Sequence, residues 1–177
     1  MRLCGAALLA GSLLLVLPAC NRKHKVELQP TIEEPAITLA STVHTGDPKS
    51  AAQLASGFYD IEEHAWRWTA KSFSVLRHTP AGAREKGAKL EVRLTVPPVI
   101  TQKLGTVTLN AAIAGTPLAP QAYPAAGQFI YTRDVPASSM TGDTTRVDFQ
   151  LDKAMPPGSE DLRELGIIVT SVGLQSK

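Results

Sequence analysis

The sequence predicts an all-β fold: a two-sheet antiparallel β-sandwich of jelly-roll type, preceded by a signal peptide and a flexible tether. Three observations carry that prediction. Short runs of alternating apolar and polar residues recur from about residue 37 onward, each bounded by Gly, Pro, Asn or Asp. Turn signals return about every ten residues, and no amphipathic stretch between them is long enough for the crossover helix of a parallel α/β fold. After residue 20 the chain has no cysteine, so one hydrophobic core must hold it without a disulfide. A span of about 120 residues is enough for such a core, with roughly two-thirds of the unfolded surface buried.

Taken in order, residues 37–43 alternate as a first strand, and residues 50–56 read as a short helix or loop that Gly57 breaks. Phe58 and Tyr59 begin a new segment. Two strand-like pieces follow at 66–69 and 72–77, and 78–87 reads as a loop on its Pro and Gly content. Residues 89–96 show the cleanest alternation, with Leu90, Val92, Leu94 and Val96 on one face and Glu91, Arg93 and Thr95 on the other; Pro97 and Pro98 end it. Residues 106–113, 128–135 and 146–151 alternate in the same way, with a turn at Gly115 and Leu118 lying beyond it. Pro156, Pro157 and Gly158 make a turn, an acidic helical turn is expected at 159–164, and the last strand is read at 165–174. That makes roughly eight strands in a single domain, a number suited to a two-sheet sandwich.

The N-terminus carries a different message. Arg2 precedes an apolar stretch from Leu3 to Leu17, which ends at Pro18, Ala19 and Cys20. The stretch is short for a membrane span, which needs about 20 apolar residues. Its end resembles the lipobox of bacterial lipoproteins, with Leu17 three positions before the cysteine and small Ala19 just before it. Pro18 departs from the usual residue between them. The resemblance implies a signal peptide at 1–19 and a fatty-acylated Cys20, the only cysteine left once Cys4 departs with the signal. Residues 20–36 are polar and hold Pro30, Pro35 and the acidic pair Glu33 and Glu34, a composition that reads as a tether. The domain division expected is therefore 1–19, 20–36 and 37–177. The basic run Arg22, Lys23, His24 and Lys25 would lie against anionic headgroups. Asn21 stands where aspartate would retain such a protein at the inner membrane, so the resemblance implies a lipid-anchored envelope protein, at the outer membrane of a Gram-negative host.

Three pieces of the folded part form a second resemblance. They are residues 57–63 followed by Trp66, Arg67, Trp68 and Thr69; the hairpin around Asn110 and Gly115; and Asp161, Arg163, Leu165 and Gly166. In this order they resemble a β-sandwich domain that accompanies bacterial glycosyltransferases and surface-polysaccharide proteins. The resemblance spans about residues 57–174 and implies the fold, with an envelope polysaccharide or a polysaccharide-assembly partner as the ligand. On the residues themselves, Asp161 suits capping of a short turn, Arg163 suits cross-linking that turn to a neighbouring strand, and Gly166 marks a bend or close approach.

The chemistry-bearing residues narrow the function by elimination and by one positive feature. The formal net charge is +2 with no basic stripe, which argues against nucleic acid. His24, His44, His64 and His78 are scattered without metal-ligand spacing, and neither a Gly-x-Ser-x-Gly elbow nor a phosphate loop occurs. No cofactor, no metal and no catalytic residue is therefore assigned. Trp66 and Trp68 are two apart, so in a strand they share a face with Arg67 opposite, and at least one is expected in the core. Asp60, Glu62, Glu63 and His64 form the densest polar cluster, read as a solvated loop; Ca²⁺ binding and a glycosidase acid–base pair are its other uses. The site expected is Trp68 as a stacking platform, with Arg67 or Glu63 as hydrogen-bonding groups. The function expected is a non-catalytic envelope lipoprotein that binds carbohydrate. An interaction protein without a glycan ligand and a glycosidase are the alternatives.

Overall fold

The domain is built of nine antiparallel strands, most of them at the alternating runs. The computed structural model describes residues 40–177. The signal, Cys20, the tether and positions 37–39 of the expected first strand lie outside the described residues. The strands are β1 (Thr42–His44), β2 (Leu54–Phe58), β3 (Arg67–His78), β4 (Ala88–Val96), β5 (Val107–Ile113), β6 (Thr116–Tyr123), β7 (Gly127–Val135), β8 (Thr144–Leu151) and β9 (Ile168–Ser176). Hydrogen-bonded neighbours run β6-β5-β8-β3-β9-β4-β7, with β1 added to β9 and β2 to β3.

One strand belongs to both layers. Residues 72–78 of β3 pair with β8, whereas Arg67 and Trp68 pair with Val169 and Ile168 of β9. The two strand-like pieces read in the sequence are thus one strand that changes partners midway. One layer is β2-β3-β8-β5-β6; the other is β9-β4-β7 with β1 and the start of β3. Alternation does the sorting: Leu90, Val92, Leu94 and Val96 of β4 are buried, and between the layers they join Val172 and Leu174 of β9 with Phe73 and Phe149, whose rings stack at 4.9 Å.

The far edges nearly close without a strand ladder. β6 contains Pro117 and Pro120, which lack the N–H that a central strand needs. Side chains of β7 reach its carbonyls instead: the Tyr131 hydroxyl donates to Ala119 O at 2.9 Å, and Arg133 donates to Ala119 O and Pro120 O at 2.6 and 2.8 Å.

Several local expectations need correction. Of residues 50–56, only the first part is helical: a 3₁₀ turn spans Pro48–Gln53, with Asp47 accepting from Lys49 N at 2.9 Å, and Leu54 already begins β2. Gly57 does not break that segment but sits inside β2 at a register shift, with φ of +71°. A Cβ there would lie 2.0 Å from Ser72 O, so only glycine fits. The expected 78–87 loop contains a short helix α1 (Ala83–Lys86), and Pro97 and Pro98 do more than end β4: Pro98 opens helix α2 (Pro98–Leu104) at its first turn. The helical turn expected at 159–164 is absent. Leu165 pairs with Met155 and Gly158 N donates to Asp161 O at 2.8 Å, which closes the segment as an extended loop and starts β9 at Ile168.

Candidate functional site

The β2–β3 connection folds back as a small hairpin of its own. Tyr59 N donates to Trp68 O at 3.1 Å, and Glu62 pairs with Trp66 around Glu63 and His64. Those two residues have φ of +50° and +57°, the paired left-handed geometry of a type I′ turn, normally filled by Asn-Gly. Glu63 therefore projects into solvent at a turn tip. Trp66 and Trp68 share a face as their spacing predicts, meeting edge to face at 6.2 Å with 72° between the rings. Trp68 packs against the core and both indoles are half-buried, so the expectation that one tryptophan serves the core holds in part for Trp68.

Arg67 leaves the opposite side, as predicted, and is committed there. Its Nε donates to Thr45 O at 2.8 Å and its Nη1 to Tyr59 O at 2.7 Å, clamping the hairpin to the chain beyond β1. The structure therefore does not bring Arg67 to the indole face. Glu63, at the turn tip, and Trp68, in the strand, belong to the same hairpin.

A different guanidinium, that of Arg163, reaches the same hairpin at Glu62 and Tyr59. Directly opposed strand residues project to one side, so Glu62 lies on the side of Trp66. Arg163 donates to Glu62 Oε1 at 2.7 Å and grips Asp161 with two parallel bonds, Nε to Oδ1 at 3.0 Å and Nη2 to Oδ2 at 2.8 Å. Its guanidinium carbon sits 5.2 Å from the centre of the Tyr59 ring, and the Tyr59 hydroxyl donates to Glu164 O at 2.8 Å. Asp161 also accepts from Arg163 N at 2.9 Å, so the acidic residue caps a local turn rather than a helix. The loop is fastened where β3 changes partners: Gly166 N donates to Thr69 O, Thr69 N to Ile167 O, and Lys71 N to a Glu164 carboxylate oxygen, all within 2.7–2.8 Å. A Cβ on Gly166 would lie 2.6 Å from the Leu151 side chain and 2.8 Å from Ala70 O, which bears out the close approach expected there.

The electrostatics decide what this cluster can do. The Arg163 side chain bonded to Asp161, helped by the Arg163 backbone N–H, pulls that carboxyl down to about 2, and the two carboxylates push the Arg163 guanidinium up. Glu62 and Asp161 share one cation, but Asp161 stays ionised far below neutral pH. A glycosidase pair needs one carboxyl held protonated, and Asp161 is not that acid. Glu62 is engaged by Arg163, and among the described residues no group of three or more His, Asp or Glu side chains converges as a metal site. What remains on the hairpin is a pair of half-buried indoles, with Glu62 and Tyr59 of the same hairpin held by Arg163.

No protein-family model matches the chain, and no curated protein matches it. Among solved structures, it is similar to part of a family GH115 4-O-methyl-alpha-glucuronidase with specificity for decorated arabinogalactans, at 15% identity over 79% of this chain with a TM-score of 0.50. This chain spans 18% of that protein. It is also similar to a carbohydrate-binding module with specific mannan recognition (14% identity, 77% of this chain, 96% of that one, TM-score 0.45). A third is the carbohydrate-binding module CBM36 in complex with calcium and xylotriose (10% identity, 75% and 98%, TM-score 0.42). The likeness is one of fold.

The sequence marks Asp161 and Arg163 as structural but does not show that Arg163 fastens to Glu62 and Tyr59 of the tryptophan hairpin. The Arg163–Glu62 pair joins residues 101 apart in the chain, and no local pattern announces it. The order of the motif pieces was the one available signal, since the first and third meet here.

Proposed function

We propose that this protein is a non-catalytic envelope lipoprotein that binds carbohydrate at the corner formed by Trp66, Trp68, Tyr59 and the Arg163 network. One observation carries the reading: two half-buried indoles on one side of a hairpin whose Glu62 and Tyr59 are held in place by the Arg163 guanidinium. Indole faces stack on the apolar faces of sugar rings, and pre-fixed polar groups bond hydroxyls with little ordering cost. In this reading Trp68 with Trp66 is the platform, Glu63 at the turn tip reaches ligand hydroxyls, and Arg67 positions the hairpin from behind.

Residues 1–19 are the signal in this proposal, Cys20 carries the fatty acyl anchor, residues 20–36 are the tether and residues 37–177 the binding domain. The outer membrane is the destination in a Gram-negative host. Among the described residues no helix is long and apolar enough to cross a membrane. Replacing Cys20 with Ser is expected to abolish fatty-acid labelling; unchanged labelling refutes the anchor.

The binding test is retention on immobilised envelope polysaccharide. The wild-type protein is expected to be retarded and the Trp66→Ala variant to run free. Equal mobility of both on every polysaccharide, with a partner protein recovered by crosslinking, transfers the case to a protein-docking role.

A further inference from the structure

A second surface, on the same strand as Trp68, is shaped for a ligand that the aromatic corner is not. The outward side chains of the layer β2-β3-β8-β5-β6 line up in register across all five strands. Ser56 lies opposite Ser74, Ser74 opposite Asp148, Asp148 opposite Ala112, and Ala112 opposite Pro117. Beside that row runs a second, Ser72 opposite Gln150 opposite Asn110. The first row is short side chains except for Asp148, and Asn110 and Gln150 in the second are longer and exposed. The result is a trough of about 350 Å³ with Phe73 and Phe149 in its lining. Four inter-strand gaps of ~4.8 Å make it about 19 Å long, at right angles to the strands.

Its chemistry is specific in three ways. The exposed Ser56 hydroxyl bonds the buried Ser74 hydroxyl at 2.7 Å and the exposed Asn110 amide donates to Gln150 O at 3.2 Å, so Ser56, Asn110 and Gln150 supply groups that both donate and accept, as a polyol requires. Its two charged groups cancel, with Arg146 Nε on Asp148 Oδ1 at 2.7 Å, which leaves nothing to attract a charged chain. At β3, β8 and β5 the backbone beneath is paired on both sides, so a peptide lying across these strands finds no free backbone there to extend.

We propose that this trough is a second carbohydrate site, separate from the aromatic corner, and that it takes an uncharged, linear glycan lying across the strands. The proposal rests on the carbohydrate reading above and adds the ligand class and the place. Short side chains on the floor leave room for a ring on each strand, Ala112 and Pro117 offer apolar contact to ring faces, and the hydroxyls and amides supply the directional bonds.

Calorimetric titration of the full chain tests it, with β-gluco-, β-manno- and β-xylohexaose as neutral probes and hexagalacturonate as the acidic one. At least one neutral hexasaccharide is expected to bind more tightly than hexagalacturonate. The double variant Asn110→Ala/Gln150→Ala, at exposed positions, is expected to weaken that binding about tenfold or more. Ala112→Trp, which fills the trough, is expected to remove it; thermal melts of both variants establish that they fold. Undiminished affinity in both variants, with binding lost through Trp66→Ala, overturns the trough while leaving the carbohydrate reading intact. Preference for hexagalacturonate overturns the neutral-glycan assignment. If none of the probes binds, the trough proposal falls; retention on envelope polysaccharide then decides separately whether the carbohydrate reading falls with it.

Discussion

The aromatic corner and the trough share strand β3, Trp68 in one and Ser72 and Ser74 in the other, yet they are built on opposite principles. The corner is made of large side chains that are locked: Arg163 is held by Asp161 and Glu62, Tyr59 by Glu164 O, and Arg67 by two carbonyls. The trough is made of what is missing, a register row of Ser, Ala and Pro with longer amides at its side. The contrast teaches that a surface can be prepared for a ligand either by fixing polar groups in advance or by leaving space. The first costs folding constraints. The second asks little of stability.

Substitutions that remove the supports of each region should produce the largest effects. Gly57 holds the β2 edge of the trough and Gly166 the loop of the corner, and both leave no room for a Cβ. Alanine at either position is expected to cost about 2–4 kcal/mol through backbone clash, with positive φ adding to it at Gly57, read as a lower urea midpoint. A midpoint unchanged by Gly57→Ala would mean that the bulge is dispensable.

Arg77, further along β3, sharpens the comparison of fixed against unfixed polar groups. It is fully buried, donates to Val172 O, and has Nε and Nη2 without partners among the described residues; burial pulls its guanidinium down to about 10. Replacing it with Met is expected to raise stability by about 1–2 kcal/mol, because an unpaired buried cation is removed and its volume kept. Arg163→Met should do the reverse. Its groups are about a third exposed, so the loss is about 1 kcal/mol, seen as a lower melting temperature.

How much of this was legible follows from the same contrast. Alternation exposed β4, β5, β7 and β8, because one face of each strand is apolar and the other polar. β6 was hidden by Pro117 and Pro120, which read as breakers although an edge strand tolerates them. Helix α2 was hidden because Pro98 reads as an ending when it is also a good first residue. The tryptophans, Glu63 and the Asp161–Arg163 pair stood out as large or charged residues, but the meeting of Glu62 with Arg163 depends on register across two layers. The trough left no trace, since single serines and alanines carry no signal until the strands are aligned.

Acid titration separates the regions more gently. Asp161 is held near 2 by Arg163, below the ordinary carboxylate value of about 3.9. Its contribution to stability is therefore complete above about pH 4 and lost as pH falls through about 2. Asp161→Asn should flatten that limb of the melting-temperature profile, and an unchanged limb would show that the bond to Arg163 contributes nothing. The smallest effect belongs to Asn110→Ala/Gln150→Ala, expected to shift stability by less than about 0.5 kcal/mol because both residues are exposed.

Intrinsic fluorescence tests the central claim directly. The chain has two tryptophans, Trp66 and Trp68, and both lie in the corner. Titration with envelope polysaccharide fragments is expected to give a saturable change in their emission that Trp66→Ala sharply reduces. Binding heat with no change in tryptophan emission would contradict the assignment of the corner as the carbohydrate site.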